Sequence, residues 1–511
     1  LKKSLIKTTK FLILLSLIIL GLFEDINANA EYINQAKYRD DKPFVIGEGF
    51  INFSLSNHYQ ANGYNEKILS DSVSKNHLSP NNLSIGNDSQ IYLKSGINHK
   101  KYQKFGAIAK VEFNYSSENF SNIGVKENPN LDQIFLFAEN DFGKFELGNN
   151  QAVNQKMKYG PARFARGSGG INGKYLQYVN LPMLANSNSV NSPLCDKLGS
   201  QSCSNIKLPR FITLAQSPIG HGGYAKSFYR RGVNNNYDIN HRDYNAYSRS
   251  NFRAFKDDSY DGLEDATKIS YYSPKINGFQ IGLSYAPDSS QNGLSANTAL
   301  DLDYIKLKNI FAIGLNYVED FDNLAVALSA TAEKAKYHQT NNNLFLNNLS
   351  IDSIKRNDLM AYDLGFALSY FGFKLGASWG NWNKSLQPKT GIYSCEYQLN
   401  VNISSQDCTA NNKKFRNPYY YTLGLAYQIS GLSASISSIK SNFQNNIFNA
   451  YSFGIDYKYS KNLLPYLEIT KFAFKVDQPQ ASNIINQATL DNKSRQLKNN
   501  YGNIFLIGIL Y

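Results

Sequence analysis

The amino-acid sequence predicts an all-β fold, a 16-stranded antiparallel barrel closed on itself and crossing a membrane. Three observations predict it. Short segments alternate polar and apolar residues with a period of two, as strands do when one face is wet and the other apolar. The connectors between them are alternately short and long. No apolar run beyond the N-terminus reaches the roughly 20 residues that a spanning helix needs. Lipid admits only spanning structures that satisfy every backbone N–H and C=O internally, which leaves the closed barrel. A mean hydropathy of -0.41 and 18% charged residues resemble a soluble protein, but a barrel averages to such values because one strand face alone meets lipid.

At the N-terminus, Lys2, Lys3, Lys7 and Lys10 precede an apolar run from Phe11 to Phe23, and Ala28-Asn29-Ala30 follows with small residues. Residues 1–30 read as a secretory signal peptide cleaved after Ala30, which leaves 31–511 as the barrel. A retained anchor is the competing reading, and no stop-transfer pattern follows Phe23. Cleavage removes four lysines and two acids, Glu24 and Asp25, and lowers the net charge from +13 to +11. Basic balance often signals nucleic acid, but export excludes that partner and points to anionic headgroups or solutes.

The first two expected strands are 48–56 and 89–97. The third, 104–115, puts Phe105, Ala107, Ala109, Val111, Phe113 and Tyr115 on one face and Gly106, Lys110, Glu112 and Asn114 on the other. Strands 131–139 and 143–149 flank the short connector at 140–142. The longest connector, about 150–265, then occupies the third long position. Strands 266–274 and 278–286 follow around 275–277, the second with Phe279, Ile281, Leu283 and Tyr285 opposite Gln280, Gly282, Ser284 and Ala286. Strands 309–318 and 323–337, then 360–370 and 373–382 around Phe371-Gly372, and 419–428 and 432–440 around 429–431, obey the same rule. The last are 449–459, with Tyr451, Phe453, Ile455 and Tyr457 opposite Ser452, Gly454, Asp456 and Lys458, then 463–474 and 501–511. Short turns on one side and long loops on the other are the habit of outer-membrane barrels. Tyr115, Tyr285, Tyr317, Tyr370, Tyr427 and Tyr459 fall at or near strand ends, where amphipathic rings suit a membrane interface.

Cys195, Cys203, Cys395 and Cys408 form two close-spaced pairs in polar segments. Sequence proximity favours bridges 195–203 and 395–408, which an oxidising compartment permits. Zinc is the competing reading, and neither C-x-x-C spacing nor a suitably placed His supports it.

Three stretches carry a family resemblance. Phe142-Gly143-Lys144-Phe145-Glu146-Leu147-Gly148, then Ile269-Ser270-Tyr271-Tyr272-Ser273-Pro274 with Gly278-Phe279-Gln280-Ile281-Gly282, and the final Phe505-Leu506-Ile507-Gly508-Ile509-Leu510-Tyr511 resemble Gram-negative general porins. The resemblance implies a homotrimer of barrels, each a passive pore for small hydrophilic solutes in the outer membrane. It also implies a third external loop folded inward and a terminal aromatic read as an assembly signal, here Tyr511 instead of the commoner Phe. Connector 150–265 stands at that third position but is longer than the resemblance implies, with the Cys195 to Cys203 section as an insertion. Part of it is therefore expected over the pore mouth.

Sixteen strands leave a watery channel, and charged side chains at its narrowest point set selectivity. Parity turns Lys94, Lys110, Glu112, Lys144, Glu146, Lys268 and Lys374 inward. The resemblance implies that basic wall residues face acidic loop residues, for which Asp257, Asp258, Asp261, Glu264 and Asp265 are the match. A solvated loop rim is the alternative for that acidic cluster. Its Asp257, Ser259, Asp261, Gly262 and Asp265 also fall at positions 1, 3, 5, 6 and 9 of an EF-hand calcium loop. Position 12 is Lys268 in place of Glu, so no metal and no cofactor is assigned, a looser calcium site being the competing reading.

Arg163, Arg166, Arg230, Arg231, Arg242, Arg249 and Arg253 are interleaved with aromatics in the same connector. They read either as a cationic lining that draws anions or as a sheath on lipopolysaccharide phosphates. Gly167-Ser168-Gly169-Gly170 and Gly220-His221-Gly222-Gly223 lack the ending of a phosphate loop and read as loop flexibility. The six histidines, at 58, 77, 99, 221, 241 and 338, are expected in connectors, and no strand groups a His with a Ser and a carboxylate as a hydrolase requires. The expectation is a non-enzymatic diffusion porin. A solute- or anion-selective channel, and a surface antigen or adhesin on a barrel scaffold, are the alternatives.

Overall fold

In the computed structural model the described residues are 43–60, 83–99, 103–113, 130–161, 164–172, 175, 179, 211–215, 217–218, 266–288, 305–321, 324–339, 345–346, 349–350, 357–385, 416–443, 445–460, 462–475 and 499–511. Sixteen antiparallel strands close one barrel. They are β1 Pro43–Gln60, β2 Leu83–His99, β3 Gln103–Phe113, β4 Asn130–Asn140, β5 Gly143–Asn149, β6 Thr267–Tyr272, β7 Phe279–Asp288 and β8 Ile305–Phe321. Then come β9 Leu324–Gln339, β10 Leu359–Tyr370, β11 Phe373–Asn381, β12 Tyr419–Ile429, β13 Leu432–Phe443, β14 Asn446–Tyr457, β15 Leu464–Lys475 and β16 Asn499–Leu510. Each strand pairs with its sequence neighbours, and β16 returns to β1, where the Tyr511 amide and carbonyl bond with Ile51 at 2.8 Å each.

The period-two pattern becomes two surfaces. On β12, Tyr421, Leu423, Leu425 and Tyr427 are exposed, whereas Tyr420, Thr422 and Ala426 are buried on the lumen side. The exposed apolar side chains recur on strand after strand, and in water such a surface would aggregate. No helix of the described residues is long and apolar enough to cross a membrane. The lipid face is therefore the outside of the barrel.

Closure requires tilt. The row of paired residues that begins at Pro43 and Ile97 runs once round the barrel to Lys475 and Asn499. It arrives beyond the far end of β1, because Gln60 already pairs with Gly502. The short turns at Asn277-Gly278, Phe371-Gly372 and Ser430-Gly431 have positive φ at both residues. That is the type I′ geometry that matches strand twist, and it makes this end the periplasmic one.

All sixteen expected strands are present, and several are longer than the alternation suggested. β1 extends to 43 and 60 and β8 to 305 and 321, because pairing continues past the lipid band where neither face needs to be apolar. Consequently His58, His99 and His338 lie in strands and not in connectors. A small hairpin of Phe345–Leu346 with Leu349–Ser350 was not anticipated. Residues 1–42, the four cysteines, Tyr115, and the acidic cluster 257–265 lie outside the described residues.

Candidate functional site

The candidate site is the lumen, and its form is set by the chain that leaves β5. Residues 150–161 and 164–172 run along the inner wall as a strap. It begins with the one-turn helix α1, Val153–Lys156, and includes the turn Gly170–Asn172. Its residues meet the strands largely in chain order. The Val153 amide donates to Ser284 Oγ of β7 at 3.0 Å, and Asn154 donates to Glu333 of β9. The Lys158 ammonium lies 3.0 Å from Asp363 of β10 and also contacts the Tyr420 hydroxyl of β12. Arg166 binds Asp456 of β14 through its backbone N at 3.1 Å, Nε at 2.6 Å and Nη2 at 2.5 Å. Glu468 of β15 accepts from the Ser168 amide and hydroxyl and from the Gly170 amide, at 2.6, 2.5 and 3.1 Å. Asn52 of β1 donates to the Gly167 carbonyl at 3.3 Å.

Inward glycines let the strap lie this close. A Cβ on Gly365 would stand 2.0 Å from the Tyr159 carbonyl oxygen, and one on Gly424 would stand 2.4 Å from Pro161 Cβ. Gly282 and Gly314 face Met157, and Gly454 faces Ala165, in the same manner. The wall thus supplies a smooth track with a buried carboxylate at intervals. Buried charges are tolerated when paired or hydrogen-bonded: Asp363 and Asp456 are paired with strap cations, and Glu333 and Glu468 accept hydrogen bonds from neutral strap donors. Burial pulls the Lys158 ammonium below the ordinary lysine range, against the opposing effect of Asp363 and Glu333. Burial lowers Lys156 likewise, opposed by Glu146.

Further described residues of the same connector, 211–215 and 217–218, close over the strap. Ser441 donates to the Ile212 carbonyl at 2.6 Å, and Lys158 donates to the Ala215 carbonyl at 2.5 Å. Phe211 meets Phe474 edge-on with centroids 4.9 Å apart. Around them Ile171, Tyr175, Leu214, Trp382, Phe443, Phe448 and Phe472 form an apolar core inside the barrel. The lumen side is therefore not uniformly polar, contrary to the expectation from parity. The external halves of β13–β16 have apolar residues on both faces, as in Phe472-Ala473-Phe474 and Ile504-Phe505-Leu506-Ile507, because one face meets the folded-in connector.

The wall candidates separate. Lys94, Lys110 and Lys144 are inward and half-buried. Lys94 and Lys144 stand 5.4 and 5.7 Å from the centroid of the Phe137 ring. Glu146 is buried, held by Lys144 at 2.7 Å and Lys156 at 2.6 Å. Lys268 is buried and donates to the Asn150 carbonyl, so it anchors the start of the strap. Lys374 sits at the periplasmic end and donates to Gln428 Oε1 at 3.2 Å. Glu112 lies in β3 in register with Gln90 and Asn130. Arg166 is tied to Asp456, which removes it from the expected anion lining. Gly167 to Gly170 are docked on Tyr466 and Glu468 and do not form a loose linker.

A closed barrel with a lipid-facing apolar band, an inward wall of polar and charged residues and a strap folded against that wall defines an outer-membrane channel protein. Residues 219–477 match the family model described as Gram-negative porin, and the chain belongs to that family. It is an outer-membrane porin, a protein that forms a water-filled pore. An uncharacterized protein of Rickettsia bellii is 27% identical over 398 residues, covering 71% of this chain and 75% of that one. One from Rickettsia conorii is 29% identical over 346 residues, covering 59% and 73%. Among solved structures, the anion-selective porin from Comamonas acidovorans is similar at 12% identity and TM-score 0.45, covering 92% of this chain and 99% of that one.

Proposed function

We propose that solutes cross the outer membrane passively between the strap and the wall of β2–β5, with Lys94, Lys110 and Lys144 as the charged groups they pass. The supporting observation is the course of the strap, which meets Glu146 of β5 and then wall carboxylates from β9 to β15. On the facing wall Lys94, Lys110 and Lys144 are inward, half-buried and basic. A basic wall in a narrow, low-dielectric passage raises the local concentration of anions and small hydrophilic solutes over apolar ones. The reading favours anions over cations for the same reason.

Asp257, Asp258, Asp261, Glu264 and Asp265, with Glu112, are proposed to complete the constriction as its acidic side. The homotrimer, the cleaved signal peptide 1–30, the bridges 195–203 and 395–408 and the assembly role of Tyr511 belong to the same proposal. A passive pore needs no cofactor and no catalytic residue. Reversal potentials in a potassium chloride gradient test it. An anion-favouring potential that shifts toward cations in Lys94→Glu/Lys110→Glu is the expected result, and an unchanged potential contradicts the assignment of the constriction.

A further inference from the structure

The inward face of β1–β4 is aromatic at its periplasmic end, where the lumen of a barrel that passes only water and ions would be polar. Phe44 of β1, Tyr92 of β2 and Phe137 of β4 share the face of the inward, buried Asn52 and Ser54. Phe44, Gly96, Gly106 and Phe137 stand in one row of paired residues across the four strands. The two rings lie over the two glycines. A Cβ on Gly96 would stand 2.9 Å from Phe44 Cζ, and one on Gly106 would stand 2.7 Å from Phe137 Cε1. The row is thus a flat floor that a side chain at either glycine would break. Beside it, the Lys94 ammonium stands 5.4 Å and the Lys144 ammonium 5.7 Å from the Phe137 centroid. Lys144 is also bound to Glu146 at 2.7 Å. Among the described residues Lys94 has no carboxylate partner, and the ring face holds it in its place.

Along β2, Tyr92 precedes Lys94 by two residues on the same face, and Gly96, under Phe44, follows by two. Each step is about 7 Å at ordinary strand spacing. A partly exposed cation is therefore flanked along the passage by two partly exposed rings. An inorganic anion uses only the ammonium of this arrangement. A solute in which an anionic group is joined to a planar ring uses all of it, because the anion meets Lys94 while the ring stacks on Tyr92 or Phe44. The geometry points to a site on the pore wall for organic anions that bear a planar ring, aromatic carboxylates and nucleoside phosphates alike. This inference rests on the proposed passage along β2–β5 and names the class of solute that the passage prefers. Phe44 and Tyr92 select the ring, whereas Lys94 selects the charge.

Block of the chloride current through the full-length protein in planar bilayers tests this with two matched pairs of probes, adenosine monophosphate against ribose phosphate and benzoate against acetate. In each pair the ring-bearing anion should half-block at a concentration at least about fivefold lower than its ring-free partner, from the ordinary strength of stacking on one or two rings. Phe44→Leu/Tyr92→Leu should bring that ratio close to one. Lys94→Gln should weaken both members of each pair and keep the ratio, while Ser437→Ala, on the lumen side of β13, should change neither. Heat-resistant gel migration verifies that each variant is folded. A preference in both pairs assigns the shared class, and a preference for adenosine monophosphate alone assigns the site to nucleoside phosphates. A ratio near one in both pairs of the wild-type protein overturns the inference without any variant, and so does a ratio that survives Phe44→Leu/Tyr92→Leu. Failure of the underlying passage reads differently, because Lys94→Gln then leaves all four probes unchanged.

Discussion

Alanine at Gly365 should lift the strap off the wall. The new Cβ would stand 2.0 Å from the Tyr159 carbonyl oxygen and 3.0 Å from Ser329 Oγ, whereas ordinary contact begins at 3.4 Å. The Tyr159 backbone must then retreat about 1.4 Å, since the Gly365 backbone is held by ladders to β9 and β11 on either side. That retreat stretches the 3.0 Å bond from the Tyr159 amide to Ser329 Oγ beyond hydrogen-bonding range. Overpacking of this kind costs about 1–3 kcal/mol, and the lost bond about 1 kcal/mol more. Hydrogen exchange on detergent-solubilised protein should therefore find the Tyr159 amide at least about tenfold less protected. Single-channel conductance should fall, because the strap moves toward the axis. Gly47→Ala is the control, since nothing stands within 4 Å of a Cβ there. A Tyr159 amide as slow to exchange in Gly365→Ala as in wild type would refute the track of inward glycines as the seat of the strap.

Three further outcomes are expected. Asp456→Asn leaves the Arg166 guanidinium without its counter-charge and should loosen the strap by about 3 kcal/mol, seen as faster exchange at 164–170 and more frequent current fluctuations, while the barrel keeps its heat-resistant gel migration. Phe474→Ala removes a ring that touches Phe211, Phe448 and Phe472 and should cost about 3–5 kcal/mol, lowering the temperature at which migration changes. Leu425→Arg on the lipid face should impair assembly by about 2–4 kcal/mol, measured as reduced folding yield into lipid vesicles, whereas Ser437→Ala on the lumen side should not.

The barrel was legible in the sequence because its two environments differ at every step along a strand. Phe145 and Leu147 must meet lipid while Lys144 and Glu146 must not, and the alternation records that demand directly. Strand ends were less legible, because beyond the lipid band the outward face need not be apolar, as at Asn57. The inward placement of Lys94, Lys110 and Lys144 followed from the same parity. The strap did not. Its seats are glycines and buried acids that parity alone turns inward, and Glu333, Asp363 and Glu468 carry no mark that separates a lining charge from an anchor. A signal was available nonetheless: Gly282, Gly314, Gly365, Gly424 and Gly454 all have inward parity, and so many missing side chains on neighbouring strands call for something to fill the space. The internal apolar core was hidden for another reason. Phe472 and Phe474 read as lipid-facing or core residues equally well until the partner, Phe211, is placed more than two hundred residues away in the chain.

The most direct measurement is thiol modification on neighbouring positions of one strand during current recording. In a background with Cys195, Cys203, Cys395 and Cys408 replaced by serine, Lys110→Cys and Val111→Cys are exposed to a charged, membrane-impermeant methanethiosulfonate reagent. Lys110→Cys should react quickly and reduce the current in discrete steps, while Val111→Cys, facing lipid, stays unmodified. Equal reaction at both positions, or modification of Lys110→Cys with no change in current, would contradict a pore that runs along the β2–β5 wall.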